Sequence, residues 1–473
     1  MDTNEFRQLG HELIEWIAAY REHIADHPVM SPALPGEVAA QLPAEPPLQG
    51  GDLGGIVADL DRVVMPGITH WNHPGFLHYF PSNSDLASVL ADLVSSGLGA
   101  QGMSWQTSPA ATEVEDVVME WLREMVGLPD TFTGVIEDTA STSTFTALLC
   151  ARERTSDFSQ NRGGLQAEDA PLVVYASDQA HSSVPKAALL AGFGAEHLRL
   201  VETDDEHALR LDLLERAIDD DLAAGRRPCA VVAAVGTTAT TALDPVAGVA
   251  ALCARHGMWL HVDAALSGTA MICPEYRWMW EGVERADSVV FNPHKWMGTG
   301  FDLSAYYVRD PEHLVRVMST DPSYLRTAQD GLVRNLRDWG IPLGRRFRAL
   351  KLWFLLRSEG VEGLQARIRR DVGNAAWLAE QVVAAPEWAL MAPAPLQTVC
   401  LRHLPPALAG DEEALAAHNA ALVQRVTAAG DYYFGTSLLK GRLIVRDSVG
   451  AQPTEREHVA GAWAALKEAA TTV

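Results

Sequence analysis

A lysine, a carboxylate and a histidine each follow a short apolar run in this chain, and together their types suit chemistry on a carbonyl and an amine. Lys295 lies in Phe291-Asn292-Pro293-His294-Lys295-Trp296, directly after Ser288-Val289-Val290-Phe291. That β-branched run reads as a buried strand, and Pro293 keeps the chain from continuing in the ladder. An amine just past a strand's carboxyl end can form a Schiff base with a carbonyl once it is neutral. Asp263 follows the apolar run Trp259 to Val262, within His261-Val262-Asp263-Ala264-Ala265. A buried carboxylate there requires a cationic or hydrogen-bonding partner. A protonated aromatic nitrogen would serve, and it would turn its ring into an electron sink. Capping a helix N-terminus is the plainer alternative.

The run Gly134 to Thr144, ending Thr139-Ala140-Ser141-Thr142-Ser143-Thr144, precedes a helical stretch with Phe145, Leu148 and Leu149 on one face. Free N–H groups and the positive dipole end at such a start suit a phosphate, with an ordinary Ser/Thr cap as the alternative. Glu137 and Asp138 are expected to point away from it. His181, in Ser177-Asp178-Gln179-Ala180-His181-Ser182-Ser183, reads by itself as a core or surface histidine. Gly192-Phe193-Gly194 does not extend to G-x-G-x-x-G, because position 197 is His, so a dinucleotide site is discarded.

The elements that must position these groups alternate in type. From about residue 86 to 355, helical patterns alternate with short apolar strands at Leu172–Tyr175, Ala230–Val235, Trp259–Val262 and Ser288–Phe291, as in βαβ units around a mostly parallel sheet. Ligands of such sheets bind outside the carboxyl ends of the strands, so the groups after these four runs could converge. Residues 1–85 form an N-terminal helical segment, periodic over residues 5–25 and again from Leu53 to Val64, with too little core to stand alone. Residues 356–473 read as a smaller C-terminal α+β domain, with a helix around Glu362 to Val382 and a strand around Gly441 to Val445.

With 473 residues, 48% of them hydrophobic, the chain can bury a large core. A formal net charge of -24 disfavours nucleic acid and anionic membrane as partners. No apolar run approaches a membrane span, and the first residues lack a signal-peptide pattern. The five cysteines lack CxxC or metal-ligand spacing and read as reduced thiols, so a cytoplasmic location and no metal site are expected.

Taken together these segments resemble the group II pyridoxal-phosphate-dependent decarboxylases, in their aromatic L-amino acid decarboxylase branch. The likeness also runs through Met65-Pro66-Gly67-Ile68-Thr69-His70-Trp71, Tyr79-Phe80-Pro81-Ser82, Ser104-Trp105, Ser108-Pro109-Ala110 and Ile341-Pro342-Leu343-Gly344-Arg345-Arg346-Phe347-Arg348. The 32-residue interval from Asp263 to Lys295 fits as well. The resemblance implies an α/β fold of the fold-type I PLP-dependent transferase class, with a mostly parallel seven-stranded sheet, and a homodimer whose sites lie at the subunit interface. It implies pyridoxal 5'-phosphate bound to Lys295, with Asp263 at the ring nitrogen, His181 on one ring face and Ala265 beneath the other. Ala140, Ser141 and Asn292 would hold the phosphate, and Thr238 would line the same site. Lys295, His181 and Asp263 would be the catalytic groups.

Trp71, Tyr79, Phe80, Pro81, Ser82, Gln101, Met103 and Phe301 would form the substrate pocket, lined with rings that suit a flat apolar side chain. The expected reaction is decarboxylation of Trp, Phe, Tyr or a dihydroxyphenylalanine-like amino acid to its amine, with Trp favoured because Met103 leaves an adaptable wall. One departure stands out. The family's mobile loop carries a Tyr shortly before Gly-Arg-Arg, where this chain has Leu336, and no Tyr occurs between Tyr324 and Gly344. Without that proton donor the decarboxylated carbon is open to oxygen, so an oxygen-dependent aldehyde synthase is the alternative.

Overall fold

The computed structural model describes residues 1–51, 53–320, 329 and 331–472. Tyr324, which bounds the tyrosine-free stretch, lies outside them. Two compact units emerge: one comprises Met1–Pro81, Val382–Ala389 and Leu401–Val473, the other Ser82–Gln381 and Leu390–Cys400. The strands in chain order are β1 (Phe76–Leu77), β2 (Thr133–Glu137), β3 (Leu172–Ser177), β4 (Leu198–Val201), β5 (Arg227–Ala234), β6 (Trp259–Asp263), β7 (Ser288–Phe291), β8 (Ser304–Val308), β9 (Trp388–Leu390), β10 (Thr398–His403), β11 (Tyr433–Leu439) and β12 (Arg442–Ser448).

The larger unit is built on a seven-stranded sheet in the order β2-β8-β7-β6-β5-β3-β4. β4, β3, β5, β6 and β7 run parallel, and β8 is antiparallel between β7 and β2. Every residue of β3, β6, β7 and β8 is buried, which explains their continuous apolar runs: helices cover both faces, so no face alternates with solvent. β4, at the edge, is only partly buried. Local chemistry sets the helix starts. Asp85 accepts from the Ala87 N–H ahead of Leu86–Leu98, Ser108 precedes Pro109 at the head of Pro109–Val126, and Thr139 accepts from the Thr142 N–H ahead of Ala140–Thr155. The expected helix at Glu362–Val382 is part of a longer one, Ala349–Ala384, interrupted where Gly360 takes φ +65°.

The smaller unit carries the helix Thr3–Glu22, none of whose residues is buried, and the sheet β1-β11-β12-β10-β9, with β9 and β10 at the division between the units. The strand expected around Gly441–Val445 is β12. All five cysteines are buried thiols outside any disulfide. No described helix is long and apolar enough to cross a membrane.

The turn after β6 is tight because Gly268 lies against Phe291, where an added Cβ would fall 2.4 Å from the Phe291 Cβ. Gly268→Ala is therefore expected to destabilise the protein by about 1–3 kcal/mol through overpacking, read as a lower urea midpoint with an unchanged slope.

Candidate active site

The parallel strands β3, β5, β6 and β7 end on one side of their sheet, and backbone bonds continue past those ends. Asp263 is in register with Ala234 of β5 and Val290 of β7. Beyond that row, the Val235 N–H donates to the Asp263 carbonyl, the Ala264 N–H to Val290 and the Asn292 N–H to Ala265, each at 2.9 Å. Three strand ends are thus locked into one floor. The Asp263 side chain is buried and accepts at Oδ1 from the Ala265 N–H at 3.0 Å, and no ion pair reaches it among the described residues.

Lys295 sits in a wide helical turn, Pro293–Met297, which breaks at Lys295 itself with φ −93° and ψ −106°. Its backbone is fixed from both sides: its N–H donates to Asn292 at 2.9 Å, and its carbonyl accepts from the buried Asn83 Nδ2 at 3.3 Å. Trp296 is fully buried and donates from Nε1 to Asp371 at 2.8 Å, which anchors the turn behind the lysine. Asn83 was not singled out from sequence. Its only signal was its place between Pro81-Ser82 and the Asp85 cap.

His181 accepts at Nδ1 from the Ser183 N–H at 3.1 Å, with the Ser183 hydroxyl at 2.8 Å. A backbone N–H can only donate, so the neutral ring carries its proton on Nε2. Burial holds the imidazole below its ordinary pKa; the Asp263 charge opposes this and the Lys295 charge reinforces it. The three groups therefore share one electrostatic field.

The start of the helix Ala140–Thr155 supplies a buried Ala140 and an exposed Ser141. Asp138 is engaged locally, accepting from the Thr139 N–H at 2.6 Å. Glu137 is buried close to Gly340, and burial raises its pKa to about 7 against the pull of Arg345, so much of its charge is absent near neutrality. Asn292 is buried with its side-chain oxygen lacking a protein partner. Thr238 is exposed in the turn that follows β5. An amine, a buried carboxylate, an imidazole, a helix N-terminus and an orphaned buried amide are a donor set that fits an anionic ring with a basic nitrogen.

The pocket candidates divide between the units. In the larger one, Ser82 is half-buried beside Asn83. Gln101 accepts at Oε1 from the Arg345 N–H at 2.7 Å, and the Met103 carbonyl accepts from the Arg337 N–H at 2.8 Å. Phe301 is 64% exposed with its ring 4.8 Å from that of His294. In the smaller unit, Trp71 stacks on Tyr79 at 5.4 Å, Phe80 lies under the Arg446 guanidinium at 4.6 Å, and Pro81 is buried. Leu336, at the loop position expected of a Tyr, is 2% exposed and packs in the apolar core cluster that also contains Trp339.

A family model described as the pyridoxal-dependent decarboxylase conserved domain matches residues 35–404. The phenylacetaldehyde synthase of Arabidopsis thaliana is 39% identical over 481 residues, covering 100% of this chain and 97% of the relative. The aromatic-L-amino-acid decarboxylase of Mus musculus is 39% identical over 486 residues, covering 100% and 99%. Among solved structures, that of Oryza sativa TDC with PLP and tryptamine superposes with a TM-score of 0.96 at 36% identity, covering 100% of this chain and 99% of that one.

The shared field gives a signed prediction. In cofactor-free protein, NMR of labelled histidine is expected to find the His181 pKa below its ordinary value. Lys295→Met should raise it, because a repelling cation is removed, and Asp263→Asn should lower it further.

Proposed function

The chain belongs to the pyridoxal-dependent decarboxylase family, and from that footing we propose that it converts an aromatic L-amino acid into its amine and carbon dioxide. It is a carboxy-lyase whose cofactor is pyridoxal 5'-phosphate. When bound, the cofactor supplies a protonated pyridine ring that takes up the electron pair left by the departing α-carboxylate.

In this reading the chain's own residues bind, orient and protonate. Lys295 Nζ holds the cofactor's carbonyl carbon from a backbone clamped by Asn83 and Asn292. Asp263, buried with the Ala265 N–H on its side chain and no ion pair among the described residues, would keep the proton on the ring nitrogen, and that carboxylate is the observation that carries the reading. His181 and Ala265 would hold the ring, and the Nε2–H of His181 would be available to the substrate. Ala140, Ser141 and Asn292 take the phosphate, with Thr238 along the same wall. On the larger unit, Ser82, Gln101, Met103 and Phe301 receive the substrate, whose aromatic side chain suits the exposed ring of Phe301. A homodimer is part of the same proposal: the helix Leu86–Leu98 exposes Leu86, Leu90, Leu93, Val94 and Leu98 along one face, and a second copy would cover it.

A second reading rests on Leu336. A buried aliphatic side chain can donate no proton, and the A. thaliana relative is a phenylacetaldehyde synthase. In that reaction the amino acid, dioxygen and water give the aldehyde, carbon dioxide, ammonia and hydrogen peroxide in equal amounts.

Two measurements test these readings. Borohydride reduction of the holoenzyme is expected to fix the cofactor covalently, and Lys295→Ala to abolish the adduct; a persistent adduct would remove Lys295 from its role. With Trp, Phe, Tyr and dihydroxyphenylalanine each supplied, amine is expected to exceed peroxide. Predominant peroxide would establish the aldehyde reading, and Leu336→Tyr should then shift the product toward amine.

A further inference from the structure

His261 is a buried titratable group that the chemistry above leaves unused. It lies two residues before Asp263 on β6, so both side chains leave the same face of the strand. Both ring nitrogens are engaged: Nδ1 meets Ser288 Oγ at 2.9 Å and Nε2 meets Thr144 Oγ1 at 3.3 Å. Ser288 opens β7, the strand that leads to Lys295, and it also accepts from Trp259 Nε1 at 2.9 Å. Thr144 belongs to the helix whose first residues are Ala140 and Ser141. One imidazole therefore bridges, beneath Asp263, the three elements assigned to the ring nitrogen, the carbonyl carbon and the phosphate.

The ring cannot neutralise Asp263. Burial holds it neutral, with its pKa lowered to about 4 despite the nearby Asp263 charge. An apolar side chain of similar size would fill this space without needing two hydroxyl partners. A fully satisfied buried polar group fixes one geometry where apolar packing tolerates several.

We propose that His261 is a positioning residue for the cofactor, setting β6 against β7 and against the helix Ala140–Thr155 so that Asp263, Lys295 and the helix N-terminus keep one mutual geometry. The proposal rests on the assignment of those three groups to pyridoxal phosphate.

The test compares His261→Phe and His261→Gln with the wild type, each stripped and reloaded with pyridoxal phosphate. The Phe variant is expected to bind the cofactor about tenfold more weakly, the size of a lost supporting hydrogen bond. It should also change the induced circular dichroism of the cofactor's visible band, which reports the tilt of the ring. Gln, whose amide can reach both hydroxyls, should restore both readouts. Thr144→Val removes one of the two bonds at nearly equal volume, so it should move the same readouts in the same direction even if the Phe variant does not fold. Wild-type affinity and an unaltered band in a folded variant would overturn the proposal. So would reduced stability of the cofactor-free variant with an unaltered band, which marks a purely structural ring. A wild-type protein that takes up no pyridoxal phosphate would instead overturn the underlying assignment, so the two failures are told apart.

Discussion

A buried carboxylate that no ion pair reaches among the described residues is the constraint around which the larger unit is arranged. Asp263 ends a fully buried strand, and its side chain accepts from the N–H of Ala265. An uncompensated buried charge costs several kcal/mol, on the order of 3–5 when a partner is removed from a buried pair. A fold that keeps such a group stands to recover that cost by binding a cation. The protonated ring nitrogen of pyridoxal phosphate is the cation proposed here. The imidazole of His181 lies within the same field, held up by the Asp263 charge and pushed down by that of the half-buried Lys295.

Polar groups also tie the surroundings of this carboxylate together. Strand ends are bonded to one another beyond the ladder, the lysine turn is held by Asn83 in front and by the Trp296–Asp371 bond behind, and His261 is bonded at both ring nitrogens. Substrate identity and product fate depend on elements outside this floor. Leu336 lies in an apolar cluster where the family resemblance placed a tyrosine, so the step that distinguishes an amine from an aldehyde falls on groups other than a side chain at 336.

The strands β3, β5, β6 and β7, which end in Asp263 or lead into the segments of His181, Thr238 and Lys295, were legible in the sequence because they are buried on both faces, which leaves unbroken apolar runs ended by polar residues. β2, β4 and β8 were not read out. β4 is a half-exposed edge, β2 leads directly into the hydroxyl-rich helix start, and β8 carries two tyrosines whose burial no local pattern reveals. Side-chain engagements were the least visible feature. Nothing in the local sequence says that Gln101 serves the backbone of Arg345 across 244 positions, or that Asn83 holds the carbonyl of Lys295 across 212. Such contacts are products of tertiary packing, whereas strand runs and cap residues are local.

In the proposed function, Asp263 keeps a proton on the cofactor's ring nitrogen. The most direct measurement is the ¹⁵N chemical shift of that nitrogen in holoenzyme reconstituted with labelled pyridoxal phosphate, compared with Asp263→Asn. A protonated nitrogen is expected at pH 8 in the wild type and an unprotonated one in the variant. An unprotonated nitrogen in the wild-type holoenzyme would contradict it.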